Sequence, residues 1–275
     1  MAFEVRQISD IGTSNPIVAR LSIQTSQLLE CFFLDKVKKD AVFEVYGMQV
    51  KDRLVACFKI FKKIDNKLLE ICHEISEKGI ITQACGRAVL APNILELNDM
   101  CENFLYQAKS ALRDLCQIFN VFYCTQFNEA RFDKVYNWAK DTFGEEDDLT
   151  KQIKIDNDSW IKKIVFMRNA VEHPGGYSGV LHIDNIRLIK VDGENKIISP
   201  SWYLNNEKPS SVVKDMSVYI NNMLEFAEDI LVLLLKKIKN EIPLIFVEIP
   251  VEQRQESCPV RLRVTLEPSF IKGKA

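Results

Sequence analysis

The stretch Phe166-Met167-Arg168-Asn169-Ala170-Val171-Glu172-His173-Pro174-Gly175-Gly176 sets an arginine, an amide and an imidazole within six positions. A Pro-Gly-Gly that cannot continue a helix follows at once. Each helical residue turns by about 100°, so Asn169 and His173, four apart, stand one above the other on the same face. Arg168 is offset by one position, over Glu172, and its long side chain reaches the same patch. A guanidinium that clamps charge, an amide that orients and an imidazole that moves a proton together suit a phosphodiester. RNA is therefore a substrate to weigh. His173 would be the last helical residue, where the negative end of the helix favours a protonated imidazole by roughly 0.3–1 kcal/mol. Histidine is also the side chain that ordinarily titrates nearest neutral pH.

The same residues admit a plainer reading. His173 would cap the last carbonyls, Arg168 would pair with Glu172 one turn on, and Asn169 would bond a neighbouring loop. Gly175-Gly176 follows a helix rather than preceding one, the wrong polarity for an anion site at a helix N-terminus. His182 alternates within an extended stretch and is expected on a strand surface, and His73 on a helix. Trp138 and Trp160 fall on apolar helical stripes and are expected in the core rather than as base-stacking platforms.

The elements that position these residues follow from periodicity. Asn15-Pro16 opens a helix expected over about 16–38, and a broken or kinked helical region follows over 49–78, stopping at Gly79. Residues 80–92 connect it to the clearest helix, 93–123, in which Leu97, Cys101, Phe104, Ala108, Leu112, Leu115 and Phe119 recur at helical spacing. The polar face of that helix carries Glu102, Lys109, Arg113 and Asp114. A shorter helix is expected over 131–143, then an acidic turn. Asn157-Asp158-Ser159 supplies N-cap chemistry for the motif helix, 158–173. Beyond it, residues 177–191 alternate as a strand, Asp192-Gly193 marks a turn, and Lys196-Ile197-Ile198 returns as a hairpin partner over one end of the helices. Ser210 or Ser211 caps a last long helix to about Lys239, and two strands, 244–249 and 260–266, end the chain. The expected fold is mainly α: one domain, 1–275, an antiparallel helical bundle with a β-hairpin at 177–200 and a C-terminal strand pair at 243–267.

Composition narrows the function. A chain of 275 residues, 47% hydrophobic and 27% charged, has the make-up of an ordinary globular protein. A formal charge of −2 gives no global basic field to gather nucleic acid, so phosphate recognition would have to be local. The eight cysteines, at 31, 57, 72, 85, 101, 116, 124 and 258, form no C-x-x-C pair and are expected as reduced, buried thiols. Cys72 and His73 would point about 100° apart on a helix, and no other spacing suggests zinc, so neither metal nor cofactor is expected. The longest apolar run, Ile230–Leu235, is far shorter than the ~20 residues that span a bilayer. The start, Met1-Ala2-Phe3-Glu4, lacks the features of a signal peptide. A soluble, cytoplasmic protein without a membrane partner is expected.

Arg168-Asn169, three further residues and His173 resemble the R-x4-H pattern of the HEPN superfamily of helical-bundle proteins, with a polar residue after the arginine. His173-Pro174-Gly175-Gly176 resembles the variant whose histidine closes its helix before a Pro-Gly turn. The helix containing Ser110-Ala111-Leu112-Arg113-Asp114-Leu115 looks like the HEPN partner helix. The resemblance covers roughly residues 93–176 and the helix after 210, and leaves the N-terminal helices and C-terminal strands unexplained. It implies a metal-independent endoribonuclease in which two copies face each other as a homodimer and share one cleft. His173 would then be the general acid/base for attack by a ribose 2′-hydroxyl on its own phosphate. Arg168 would hold the phosphate and the charge of the transition state, and Asn169 would orient the phosphate or the histidine. Glu172, Asp114 and Glu102 are carried along as substrate-side acidic residues. Such domains often look like parts of toxin–antitoxin or phage-defence systems, which adds an antitoxin or other protein as a partner. Some family members are inactive and serve as dimerisation or RNA- or protein-binding modules, the alternative here.

Overall fold

The computed structural model describes residues 10–79, 92–191, 194–239 and 242–268. The chain is mainly helical, as expected. In order it forms α1 (Pro16–Val18), a π-helical stretch (Ala19–Gln24), α2 (Thr25–Glu30), α3 (Lys36–Phe43), a second π-helical stretch (Glu44–Val50) and α4 (Lys51–Lys78). Then come α5 (Leu97–Tyr123), α6 (Phe132–Phe143), α7 (Asp148–Asp156), a third π-helical stretch (Asn157–Ile161) and α8 (Lys162–Glu172). Strands β1 (Leu181–Asp184), β2 (Arg187–Val191), β3 (Glu194–Ile198), β4 (Ser201–Leu204) and β5 (Ser210–Ser211) precede α9 (Val212–Lys236). Strands β6 (Leu244–Glu248) and β7 (Leu262–Leu266) close the described chain.

Local chemistry explains where the boundaries depart from the periodicity. Asn15 caps α1 through its Oδ1, which accepts the Ile17 N–H at 2.9 Å, with Pro16 at the first position. The helix expected to run to 38 ends at Glu30 instead. Asp35 accepts the Lys38 N–H at 2.8 Å and so starts α3 as a new helix. The expected cap at Asn157-Asp158-Ser159 is also corrected. Asp147 is the cap, accepting the Leu149 N–H at 3.0 Å, and the helical run continues from Asp148 through residues 157–159 to Glu172. An acidic turn thus hides a helix start.

The strand expected over 177–191 divides at Asn185. That side chain accepts the Ile94 N–H at 3.0 Å and donates to the Ile94 carbonyl at 2.8 Å, so it cannot lie flat in a ladder. β1 pairs antiparallel with β4, and β4 with β5, while β2 and β3 pair antiparallel as expected; the Asp192-Gly193 turn expected between them lies outside the described residues. β6 and β7 pair antiparallel, Leu244 opposite Leu266. The cysteine expectation needs amending. Cys57, Cys101 and Cys116 are buried, but Cys31, Cys72 and Cys124 are exposed and Cys258 is intermediate; Cys85 lies outside the described residues. Burial pushes the Cys101 thiol up to about 12, with Glu102 adding to the shift. The span 80–92 expected as a connection also lies almost wholly outside the described residues.

The chain divides into two compact units. The first comprises residues up to Val55, Ala111–Asn157 and Met223 onward. Its core includes Leu21, Tyr46, Phe119, Phe132, Ile153 and Phe226, and the Tyr46 hydroxyl donates to the Ala227 carbonyl at 2.9 Å. Trp138 lies half-buried among the rings of Phe119, Tyr123, Phe127 and Phe143. A buried polar network sits beside this core. Glu228, 2% exposed, takes the Arg20 guanidinium, the Gln24 amide at 2.6 Å and Arg261 at 3.0 Å.

The second unit comprises Ala56–Ser110 and Asp158–Asn222 and carries the Arg-Asn-His motif. Its largest fully buried side chain is Trp202 of β4, whose ring is 6.2 Å from that of Phe104. The Trp202 Nε1–H donates to Asp215 at 2.8 Å, which satisfies the indole inside the core. Met167 and Ala170 of α8 and Met216 of α9 are buried in this unit, and β1 packs beside α8. Alternating with those buried positions, the remaining face of α8 is free to carry polar groups.

Candidate functional site

α8 buries Ile164, Met167 and Ala170, three and then three residues apart, and this stripe fixes the rotation of the helix. Arg168, Asn169 and Glu172 fall off the stripe; the first two are partly buried and Glu172 is exposed. The helix ends at His173, whose φ of −136° and ψ of 72° leave the helical region while its N–H still donates to the Asn169 carbonyl at 2.8 Å. Gly175, at φ +76°, adopts a conformation that favours glycine, and Gly176 N–H returns to the His173 carbonyl at 2.9 Å. The His173 backbone thus closes the helix, where the plainer reading expects its imidazole to bond the last carbonyls, and His173 itself is solvent-exposed.

The facing group comes from α5. Lys109 Nζ donates to Asn169 Oδ1 at 2.7 Å and to Glu172 Oε2 at 2.8 Å. Arg168 meets the other carboxylate oxygen, Nη2 to Glu172 Oε1 at 3.4 Å, and its guanidinium lies over the Tyr106 ring at 5.4 Å from the centroid. The Arg168 Nε is buried with no hydrogen-bond partner among the described residues. Three of the motif's polar groups therefore converge with Lys109 in one cluster. Asn169 bonds a neighbouring helix rather than a loop, and Arg168 pairs with Glu172 as the plainer reading expects.

The charges in this cluster are unequal. Lys109 and Arg168 contribute two positive charges against one negative on Glu172. The Glu172 carboxyl is held below its ordinary value of 4.5, first by the Lys109 hydrogen bond, then by the charges of Lys109, Arg168 and His173, with burial opposing. The carboxylate keeps both cations in place without saturating them. A guanidinium has five N–H donors, and the contact to Glu172 is long, so Arg168 retains capacity for an incoming anion.

Two further aromatic side chains meet at the end of α8. Tyr177 is 97% exposed, and its ring meets Phe166 edge-on at 6.1 Å between centroids. The loop that carries it is closed by Gly175 N–H to the Gly179 carbonyl and by Gly179 N–H to the Gly176 carbonyl, both 2.9 Å. Asn205 ties down the far side, accepting the Val180 N–H at 2.9 Å.

Of the other acidic residues singled out in the sequence, Glu102 is exposed on α5, two turns before Lys109. Glu102, Tyr106 and Lys109 stand four and three residues apart, on one stripe of that helix. Asp114 belongs to the first unit. It is 4% exposed and holds Arg113 at 2.7 Å and Arg53 at 3.5 Å. Sequence reasoning placed Lys109 only on a polar face and passed over Tyr106 and Tyr177. The i, i+4, i+7 stripe Glu102-Tyr106-Lys109 was the available signal. Among the described residues, no group of three or more His, Cys, Asp or Glu side chains is placed to hold a metal ion. No described helix is long and apolar enough to cross a membrane. Compared with protein-family models, curated proteins and solved structures, the chain finds no match in any of the three.

Proposed function

We infer that the protein is an endoribonuclease of the HEPN kind, working as a homodimer and without a metal ion. The observation that carries this reading is the placement of His173. It is an exposed imidazole at a helix end, one turn past an arginine held by a carboxylate and a tyrosine ring, with a second cation from α5 alongside. In this reading the phosphate enters beside Arg168 and Lys109, which offset its charge and that of the pentacoordinate transition state. Asn169, already oriented by Lys109, positions the phosphate or the imidazole. His173 takes the proton from the ribose 2′-hydroxyl as that oxygen attacks the phosphorus. The 5′-oxygen leaves with a proton returned by an imidazolium, from the same residue or from its counterpart in a second copy. Tyr177 offers an exposed ring to a nucleobase, a contact that tolerates any base because each has a π-face.

The helical architecture and the Pro-Gly stop after His173 support the HEPN assignment, and the local excess of positive charge supports a phosphate ligand in an acidic chain. A toxin or defence role, with an antitoxin or other protein partner, belongs to the same proposal. One observation favours a second reading, an inactive HEPN-like module that dimerises or binds RNA or protein: Arg168 is already paired with Glu172. The experiment that separates them is RNA cleavage in a chelating buffer. The nuclease reading expects the wild type to cut and His173→Ala to lose at least about a hundredfold in rate, the contribution of a general acid/base. Equal cleavage by both, or none by either, removes the enzyme.

A further inference from the structure

The first unit contains a pocket lined by two arginines, remote in sequence from the Arg-Asn-His motif. The pocket, of about 310 Å³, lies between α2 and the connection from β6 to β7, lined by Gln27, Gln253, Arg254, Gln255, Cys258 and Arg263 together with two aliphatic side chains. Two guanidiniums and three amides line it, and none of the described lining residues is acidic, while the Glu248 carboxylate pairs with Arg254. The connection is shaped before any ligand arrives. Ile249 N–H donates to the Arg261 carbonyl at 2.7 Å, Gln253 N–H to Pro250 at 2.9 Å, and Cys258 N–H to Gln255 at 3.0 Å. The Thr13 hydroxyl donates to the Ser257 carbonyl at 3.0 Å and ties the loop tip to the start of the described chain.

Its base is anchored more firmly still. Gln24 Oε1 accepts the N–H groups of Arg261 at 2.6 Å and Leu262 at 2.7 Å, and the Arg261 guanidinium is taken up by Glu228 and Asp229. Arg254 is fixed in the same way. Its Nε donates to the Ile249 carbonyl at 2.8 Å and its Nη2 to Glu248 at 2.9 Å, leaving the side chain 16% exposed. Two of its five N–H donors are thereby used and the guanidinium plane is set. A pre-oriented arginine beside a second, exposed one is the arrangement that recognises a phosphate group by paired hydrogen bonds. The glutamine amides add donor and acceptor pairs, which suit the edge of a nucleobase. The volume is at the lower end of the ~300–1,000 Å³ of small-molecule sites, enough for one nucleotide and not for a strand.

We propose that this pocket binds a nucleoside monophosphate, with Arg254 and Arg263 on the phosphate and the glutamine amides on the base. The site is independent of the nuclease reading and stands or falls separately from it. The test is calorimetric titration of the full chain with each of the four ribonucleoside monophosphates, with inorganic phosphate and with adenosine. At least one monophosphate binds saturably and more tightly than either inorganic phosphate or adenosine. Arg263→Gln, an exposed substitution that leaves the fold intact by circular dichroism, weakens it by roughly tenfold or more, the worth of a charge-assisted hydrogen bond. Gln255→Ala weakens the nucleotide while leaving the weak binding of inorganic phosphate unchanged. No saturable binding of any monophosphate, binding of inorganic phosphate or adenosine that equals it, or indifference to Arg263→Gln overturns the assignment.

Discussion

Lys109 decides the electrostatics around Asn169 and Glu172. It holds an amide oxygen and a carboxylate oxygen at once, and its hydrogen bond is the largest cause of the lowered Glu172 carboxyl. Replacing it by methionine keeps the aliphatic stem and removes the ammonium, so the Glu172 carboxyl rises toward its ordinary value of 4.5, read by NMR titration of the side-chain carbon. A carboxyl with a depressed folded value contributes stability above the unfolded value and loses it as pH falls through the folded one. The stability gap between wild type and Lys109→Met therefore appears at neutral pH and closes in acid below about 4.5, measured by urea unfolding. A gap that persists unchanged into acid contradicts the assigned cause. In the sequence, Arg168, Asn169 and His173 are legible because they are neighbours along one helix. Lys109 is not, since it lies 60 residues from Asn169 and meets it only once α5 and α8 pack. A side chain's partner across two elements has no signature in local spacing.

At the scale of elements, the turn after α8 carries both the helix stop and Tyr177. Gly175 and Gly179 have φ of +76° and +81°, but their surroundings differ. A Cβ at Gly175 meets open space, whereas one at Gly179 would lie 2.0 Å from the Asn205 Oδ1 that holds Val180. Gly175→Ala should cost about 1 kcal/mol, the left-handed backbone alone. Gly179→Ala should cost clearly more, roughly 2 kcal/mol, because the Asn205 bond must break as well. Chemical denaturation of the two variants measures this, and equal losses would show that Asn205 yields freely. Helix identity was legible wherever apolar residues kept a 3.6-residue period, as in α5, α6 and α9. Boundaries were legible where one cap stood alone, as at Asn15, and not where two acidic candidates competed, as at Asp147 and Asn157-Asp158. β4 was missed because Ser201-Trp202-Tyr203-Leu204 is too short to show alternation and is buried at three of its four positions.

For the molecule as a whole, the Glu228 network ties the C-terminal strand pair into the first unit, joining residues more than 200 positions apart. Glu228→Gln leaves Arg20 and Arg261 facing a neutral group in a buried site. The loss should be about 3–5 kcal/mol, with a lowered Tm by calorimetry, the cost of breaking a buried ion pair on one side. A neutral effect would mean that water reaches the arginines. Nothing in the sequence marks this cluster, because Arg20, Gln24 and Glu228 are ordinary polar positions on helices until the fold buries them. The mainly helical class and the strand pair were legible from pattern, while the division into two units and the pocket beside α2 depend on long-range packing. The central claim concerns the exposed imidazole at the end of α8. Incubated with RNA in a chelating buffer, the wild type should leave 2′,3′-cyclic phosphate ends, detected by mass spectrometry, and should spare a substrate whose riboses are replaced by 2′-deoxyribose. His173→Ala should cut the RNA at least about a hundredfold more slowly and spare the deoxy substrate. Cleavage of the deoxy substrate, cleavage by His173→Ala as fast as by the wild type, or intact RNA with the wild type would contradict the nuclease account.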